Sequence, residues 1–184
     1  MTIKSIAKSR FGQQLQYTLG IPNEEVRQSL MNHLVRSYAG CPVSDTTELR
    51  DYILQQLFDG DVSAFQRNMQ AMFARIPYQL HIPCDAYYHS LLLLWLNMLG
   101  FEALGEVPTN IGRIDAVWTW KDRVVIAEIK HSEKDTLETL LKEAFDQIHD
   151  RRYYEGYTGN NRRIALLAIA VAGREIECRM EEMK

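Results

Sequence analysis

Residues Ile164–Val171 form an unbroken apolar run, Ile-Ala-Leu-Leu-Ala-Ile-Ala-Val. A half-buried strand would alternate with a period of two, and a surface helix would show a stripe with a period of about 3.6. A strand covered on both faces accepts such a run. The rest of the chain must then supply structure on each side of a sheet, which points to an α/β sandwich around a mixed sheet. The neighbouring segments agree. Gly173 breaks the run, and Ile176, Cys178 and Met180 then alternate with Glu175, Glu177, Arg179 and Glu181, as in an edge strand. Upstream, Gly105–Thr119 and Arg123–Lys130 are rich in Val, Ile and Trp and read as strands. Ser132–Tyr157 reads as a helix with Leu137, Leu140, Leu141, Ala144 and Ile148 on its apolar face. A loop follows at Tyr157–Asn161.

Everything before about Pro83 reads as helical. Asn23 can cap a helix whose first turn holds Glu24 and Glu25, with Val26, Leu30, Leu34 and Val35 at helical spacing and an end near Gly40-Cys41-Pro42. Ser44-Asp45-Thr46 opens the next helix, with Leu49, Ile53, Leu54, Leu57 and Phe58 on one face and Gly60 as its stop. Asp61 or Ser63 opens a third, with Phe65, Met69, Met72 and Phe73 apolar. Residues 1–80 are therefore expected as a helical N-terminal extension, and residues 81–184 as the α/β domain. Ala86–Leu99 is apolar nearly all round, which predicts a helix buried on most sides and ended by Gly100.

The 184 residues suffice for one domain plus an extension, and 46% apolar content supports a substantial core. The net charge of −3 excludes a protein held to nucleic acid by a large basic surface. Contact with such a ligand would need local patches, a metal, or another chain. The three cysteines, Cys41, Cys84 and Cys178, are scattered and form no CxxC, the pattern of reduced thiols in a cytoplasmic protein. Met1–Arg10 holds no continuous apolar segment of the secretory type. The most apolar stretch, around Leu91–Leu96, runs for about 14 residues, short of the roughly 20 that span a bilayer.

The chemistry concentrates in Gly112-Arg113-Ile114-Asp115 and Ala127-Glu128-Ile129-Lys130. A hairpin turning at Lys121-Asp122 sets Trp120 opposite Arg123. The same register sets Asp115 opposite Glu128, with Cβ atoms about 4.5–5.5 Å apart, and Arg113 opposite Lys130. Two carboxylates so close on a partly buried strand pair repel each other and invite a divalent cation. Hard oxygen ligands suit Mg²⁺ or Mn²⁺. Lys130 shares the face of Glu128 and is placed to orient or deprotonate a water, or to stabilise charge on a phosphoryl group. Lys121-Asp122 is not a favoured turn pair, and a longer loop or a bulge would shift this register. The structural alternative is a surface Glu-Lys pair.

These segments, with Ala144-Phe145-Asp146-Gln147-Ile148 and Tyr153-Tyr154, resemble the PD-(D/E)XK nuclease superfamily. They are most similar to an uncharacterised bacterial branch, usually fused behind an AAA-ATPase-like domain, in which a helix containing Tyr-Tyr-His precedes the strands, as Tyr87-Tyr88-His89 does here. The resemblance covers roughly residues 85–180, and Tyr17–Arg27 resembles the piece that links ATPase to nuclease. It implies a restriction-endonuclease-like α/β/α sandwich. Asp115, Glu128 and the backbone carbonyl of Ile129 would bind the metal, Lys130 would serve the attacking water, and Gln147 would contact the metal water or substrate phosphate. Two departures stand out. Ile114 occupies the place of the proline, and Asp85 stands where an early helix usually supplies a Glu. Asp85 is equally placed to cap the Ala86 helix. No GxxxxGK[ST] occurs, so an ATPase partner would be a domain outside this sequence or a protein in trans.

His89 reads as a hydrogen-bonded core histidine or an additional site residue. His131 is expected to face away from Lys130. Gln147, Arg151 and Tyr154 fall at i, i+4 and i+7 on one helical face. With Arg113, Arg151 and Tyr154 are the candidate nucleic-acid contacts, their alternative being a solvated helix end. The expected function is Mg²⁺- or Mn²⁺-dependent hydrolysis of nucleic acid, DNA above RNA. The alternatives are a module that binds nucleic acid or an ATPase without cutting, or an oligomerisation unit such as a homodimer.

Overall fold

The computed structural model describes residues 2–8, 15–20, 22–23, 25–26, 29, 46–120, 122–159 and 162–183. The helix expected over Val26–Val35, its Gly40-Cys41-Pro42 end, and the side chains of Leu49 and Phe58 lie outside the described residues. The Asn23 cap is present, its Oδ1 accepting from Val26 N at 3.0 Å. The helical expectation fails at the start of the chain. β1 (Thr2–Lys8) and β2 (Leu15–Gly20) pair antiparallel, Ile6 with Tyr17 and Ser5 with Thr18. Ile3, Ile6, Tyr17 and Thr18 are β-branched or aromatic types that favour a pleated ladder over a helix.

Helices α1 (Thr46–Phe58), α2 (Ser63–Phe73) and α3 (Asp85–Met98) follow. The five-stranded sheet is then built from β3 (Leu104–Pro108), β4 (Arg113–Trp120), β5 (Arg123–Ser132), β6 (Arg163–Ala172) and β7 (Glu175–Met183), in that spatial order. Helix α4 (Leu137–Asp150) makes the crossover from β5 to β6, the parallel pair in an otherwise antiparallel sheet. A parallel neighbour requires such a crossover, which lays a helix on one face.

The apolar run of β6 is covered on both sides, as it demands. Ala165, Leu167, Ile169 and Val171 join the core formed with Ile53, Leu54, Phe65, Leu92 and Leu96 of α1–α3. Ile164 and Leu166 pack with Ile148, and Ala168 and Ala170 with Leu140, Leu141 and Ala144, all from α4. Burying each Leu or Ile contributes roughly 1.5–3 kcal/mol. A charge on either face of β6 would forfeit that and strand an ion as well. α3 is less enclosed than expected, since one flank stays open with Leu94 57% exposed. Gly100, at φ +85°, turns the chain out of α3 in the left-handed conformation.

Helix α2 is bound to the far edge of the sheet. Gln70 Oε1 accepts from Ile176 N and Gln66 Oε1 from Cys178 N, each at 3.1 Å. Two outward N–H groups of the edge strand are thereby occupied. Phe65 of α2 meets Trp95 edge-on at 5.0 Å and stacks 6.3 Å from Trp118 of β4. Residues 46–73 thus share the core of the sheet. Phe65→Ala should cost about 3–5 kcal/mol. Urea unfolding followed by tryptophan fluorescence and by far-UV dichroism should give one coincident transition for helices and sheet. Two separated transitions would mean that these helices form an independent unit.

Candidate active site

The β4–β5 hairpin has the tight register that the sequence predicts, with Trp120 opposite Arg123 and Ala116 opposite Ala127. The ladder stops one pair short of Asp115 and Glu128. Beyond it, the N–H of Ile129 donates to the side chain of Asp115, at 3.0 Å from Oδ2. On the other side of β4, pairing skips from Gly105–Ala116 to Val107–Ile114. Glu106, at the skipped position, adopts φ +56°. β4 is therefore released by both neighbours at Asp115, and a cleft of about 420 Å³ opens there. The same break removes the expected ladder pair of Arg113 with Lys130. Arg113 pairs instead with Pro108 of β3.

Glu128 is 1% exposed, next to Ala127 and Ile129 in the buried part of β5. Its Oε1 accepts from Lys130 Nζ at 2.9 Å and from Gln147 Nε2. Gln147 Oε1 in turn accepts from Lys130 Nζ at 2.7 Å. The other oxygen, Oε2, is buried with no hydrogen-bond partner among the described residues. Burial, reinforced by the charge of Asp115 and opposed by Lys130, pushes the Glu128 carboxyl up to about 7. Asp115 is also raised, chiefly by burial, against the Ile129 N–H and His89. Burial works against the charge of Lys130, but Glu128 and Asp115 outweigh it, and the ammonium is held above its ordinary value. The residues read from sequence as a constellation, Asp115, Glu128, Lys130 and Gln147, thus line one cleft.

The other candidates divide. Asp85 lines the cleft from the first turn of α3, but Cys84 is the N-cap and makes no side-chain cap. The capping role for Asp85 is therefore wrong, and its Oδ1 accepts from His131 N at 3.1 Å. His131 itself stacks on Tyr88 at 4.5 Å, on the face away from Lys130, as expected. His89 is buried and also reaches the cleft, its Nε2 on the backbone oxygen of Asp115 and its Nδ1 3.0 Å from Glu106 Oε1. Arg113 pairs with Glu106, and Arg151 Nη1 donates to Ile111 O.

Tyr154 is a correction. α4 ends at Asp150, and Arg152 takes φ +47°, so the helix spacing that aligned Tyr154 with Gln147 does not continue. Tyr153 lines the cleft instead. Its Oη donates to Arg113 O at 2.7 Å and lies 3.3 Å from Gln147 Nε2. A Cβ at Gly112 would stand 3.0 Å from that oxygen and 3.2 Å from Arg151 Nη1, so a side chain there would push one or both aside by a few tenths of an ångström. The helix also starts later than expected. Thr136 is its N-cap, while Ser132 binds the Lys134 and Asp135 N–H groups in a turn. Sequence reading missed Glu106, and it quoted Tyr153 only within the motif while choosing Tyr154 as the contact. The signal for Glu106 was a lone carboxylate in a short strand whose hairpin register faces it to Asp115.

A profile described as the PD-(D/E)XK nuclease superfamily matches residues 84–181. The chain belongs to that superfamily. The mixed α/β architecture, a five-strand mixed sheet with four α-helices that lie within the described residues, is consistent with a restriction-endonuclease-like fold. An "Uncharacterized protein in vnfD 5'region" of Azotobacter chroococcum mcd 1 is 30% identical over 168 residues, which is 87% of this chain and 31% of that protein. The chain therefore spans about a third of the length of this curated relative. No helix among the described residues is long and apolar enough to cross a membrane.

The raised Glu128 carboxyl has a stability consequence. Its folded value lies above the unfolded one, so its contribution is full below about pH 4.5 and is lost as pH rises through about 7. In EDTA, Glu128→Gln should lack this loss. The stability of the variant relative to wild type should rise by on the order of 3 kcal/mol between about pH 4.5 and about pH 8, measured by urea titration. A pH-independent difference would show that Glu128 titrates normally.

Proposed function

We propose that this PD-(D/E)XK chain is a metal-dependent phosphodiesterase that hydrolyses nucleic acid, with DNA as its substrate. The observation that carries the reading is the buried, unpartnered Oε2 of Glu128 beside the carboxylate of Asp115. A buried lone carboxylate oxygen is costly unless a proton or a cation satisfies it. The donor set fits Mg²⁺ or Mn²⁺, because hard oxygens at a partly open cleft leave room for water. Asp115, Glu128 and the backbone carbonyl of Ile129 would hold the ion. The Ile129 N–H already points toward Asp115, and in an antiparallel strand the carbonyl of the same residue points to the same side. When bound, the ion supplies Lewis acidity and a water of lowered pKa.

Lys130 is held as an ammonium, so its part is that of a charged donor that orients the nucleophile and stabilises phosphoryl charge. It is not suited to taking up a proton. Gln147 is a positioning residue, since it fastens both the Glu128 oxygen and the Lys130 ammonium. Tyr153 links Gln147 to the β4 backbone. Arg113 and Arg151, both exposed at the cleft, are the phosphate contacts. An ATPase module, in a longer polypeptide or in trans, and self-association to a homodimer are further partners of this reading. The length of the Azotobacter relative leaves room for such a module. A second reading, a module that binds without cutting, is favoured by Asp85, whose carboxylate is engaged by the His131 N–H.

The test is cleavage of supercoiled plasmid, single-stranded DNA and RNA with Mg²⁺ or Mn²⁺. Wild type should cut DNA, and Glu128→Gln and Lys130→Gln should each lose on the order of 10²–10³-fold in rate with unchanged near-UV dichroism. Binding of DNA without cleavage would establish the second reading. Cleavage unaffected by Glu128→Gln would overturn the site.

A further inference from the structure

A second cavity, of about 300 Å³, shares no lining residue with the cleft. It opens between the end of α2, the start of α3 and the β6–β7 turn. Phe73, Ile76, Tyr88, Val171 and Ile176 give it apolar and aromatic walls, and Arg174 brings a guanidinium. Its charge is the reverse of the cleft's. Asp85, Glu106, Asp115 and Glu128 line the cleft, whereas no carboxylate among the described residues lines this cavity. In a chain of net charge −3, a cavity with a cation and no carboxylate favours an anion. We propose that this cavity binds a small planar aromatic anion, with its ring against Phe73 and Tyr88 and its anionic group on Arg174. That is the chemistry of a nucleoside monophosphate or of an aromatic carboxylic acid. Nothing in it depends on the phosphodiesterase reading.

The cation is held at a fixed point. β6 and β7 turn around Gly173-Arg174, with Ala172 paired to Glu175 and Gly173 at φ +61°. Gln70 ties that turn to α2, its Nε2 donating to Arg174 O at 2.8 Å and its Oε1 accepting from Ile176 N at 3.1 Å. The backbone of Arg174 is thereby clamped. Its side chain is exposed and makes no hydrogen bond or ion pair among the described residues. A guanidinium offers paired donors that match a carboxylate or a phosphate. The aromatic wall is equally set in advance. Phe73 and Tyr88 are both buried, with ring centroids 5.9 Å apart, and Tyr88 also stacks on His131 at 4.5 Å. Walls already in place cost little ordering when a ring enters. The Tyr88 hydroxyl is only loosely engaged, 3.5 Å from Gly173 O, where a hydroxyl donor prefers about 2.7–2.8 Å. Burial pushes this phenol up, so it stays a neutral donor that adds no negative charge. A phosphate alone would leave the aromatic wall to water, and a neutral ring would leave the guanidinium unused. A cavity of this size, at the small end of ligand pockets, suits one ring system with its anion attached.

The experiment is isothermal titration calorimetry of the full chain in EDTA, so that no cation in the cleft carries a phosphate. The probes are AMP, indole-3-acetate, adenosine and inorganic phosphate. AMP or indole-3-acetate should bind saturably, and the tighter of the two identifies the source of the ligand. Adenosine lacks the anion and inorganic phosphate lacks the ring, so each should bind at least about tenfold more weakly. Arg174→Gln should also lose about tenfold in affinity. Ala74→Glu, at an exposed position on the lining, brings a carboxylate into the wall without touching the core and should abolish binding. Arg113→Gln, at the rim of the cleft, should bind as wild type does. All three variants should keep the wild-type near-UV spectrum. Affinity lost in Arg113→Gln and kept in Arg174→Gln would place the ligand in the cleft and overturn this inference. Adenosine binding as tightly as the better anion would overturn it too, as would the absence of saturable heat with every probe at millimolar concentration. DNA cleavage is a separate readout, and none of these outcomes alters it.

Discussion

A carboxylate buried in a wall of Val, Ile and Ala is the constraint on which this molecule turns. Glu128 continues a strand whose preceding residues, Val124–Ala127, are all buried. Removing an ion from water costs several kcal/mol even after the protein relaxes. One oxygen is compensated by Lys130 and Gln147, and the other is not. The unmet half can be satisfied by a proton, and the carboxyl is accordingly pushed up to about 7. It can also be satisfied by a cation, which would compete with that proton. On the proposed reading, the arrangement is poised around neutrality between a protonated form and a metal-bound form. Lys130 and Gln147 depend on the same carboxylate, because each is bonded to it and to the other. The apolar face of α4 holds the helix on β6, and this one cluster ties its Gln147 to the chemistry of β5.

The sheet explains why this strained group sits where it does. β5 remains paired with β6 without interruption from Arg123–Arg163 to Ser132–Ala172. Its bonds to β4 end at Ala127. One side of the strand is therefore anchored over its full length while the other opens. The anchored side keeps Glu128, Ile129 and Lys130 rigid, with the double-covered β6 behind them. The open side frees the Ile129 N–H for the Asp115 side chain. A cleft formed inside the sheet, by parting two strands, places its polar groups more exactly than a surface loop would. It also brings α3 into the site, because His89 can reach the β4 backbone only where the sheet is parted.

Much of this was legible in the sequence, for reasons that differ residue by residue. The two-residue hairpin determines the register, so Trp120 facing Arg123 brings Asp115 to the level of Glu128 whatever the tertiary context. The apolar run of β6 demanded a layer on each face, and α1–α3 and α4 supply them. Gln147 was found through likeness to a family, which physical reasoning alone would have left as a surface amide. What escaped was governed by backbone conformations that no local pattern announces. Arg152 and Glu106 both adopt positive φ with side chains that rarely do. The first ends α4 early and exchanges Tyr154 for Tyr153. The second interrupts the β3–β4 ladder at Glu106, which the register already sets opposite Asp115. The β1–β2 hairpin was missed although Leu15, Tyr17 and Leu19 of β2 alternate with Gln16 and Thr18, because in β1 Ile3 and Ile6 stand three apart and break the strand period.

Electrostatics connects the acidic composition to the proposed chemistry. Asp85, Glu106, Asp115 and Glu128 line the cleft against Lys130, Arg113 and Arg151. With all four carboxylates ionised, the local balance is negative, in keeping with the overall charge of −3. Two like charges about 5 Å apart repel by roughly 3 kcal/mol at an effective dielectric near 20. A phosphodiester backbone would therefore be turned away from the free cleft despite the arginines at its rim. On the proposed reading, one divalent ion reverses the sign. On the proposed reading, the ion is then required for substrate to enter as much as for the bond to be cut, and the order of events is metal first, nucleic acid second. A basic surface would have made binding unconditional. On that reading, the acidic cleft ties it to the presence of the metal.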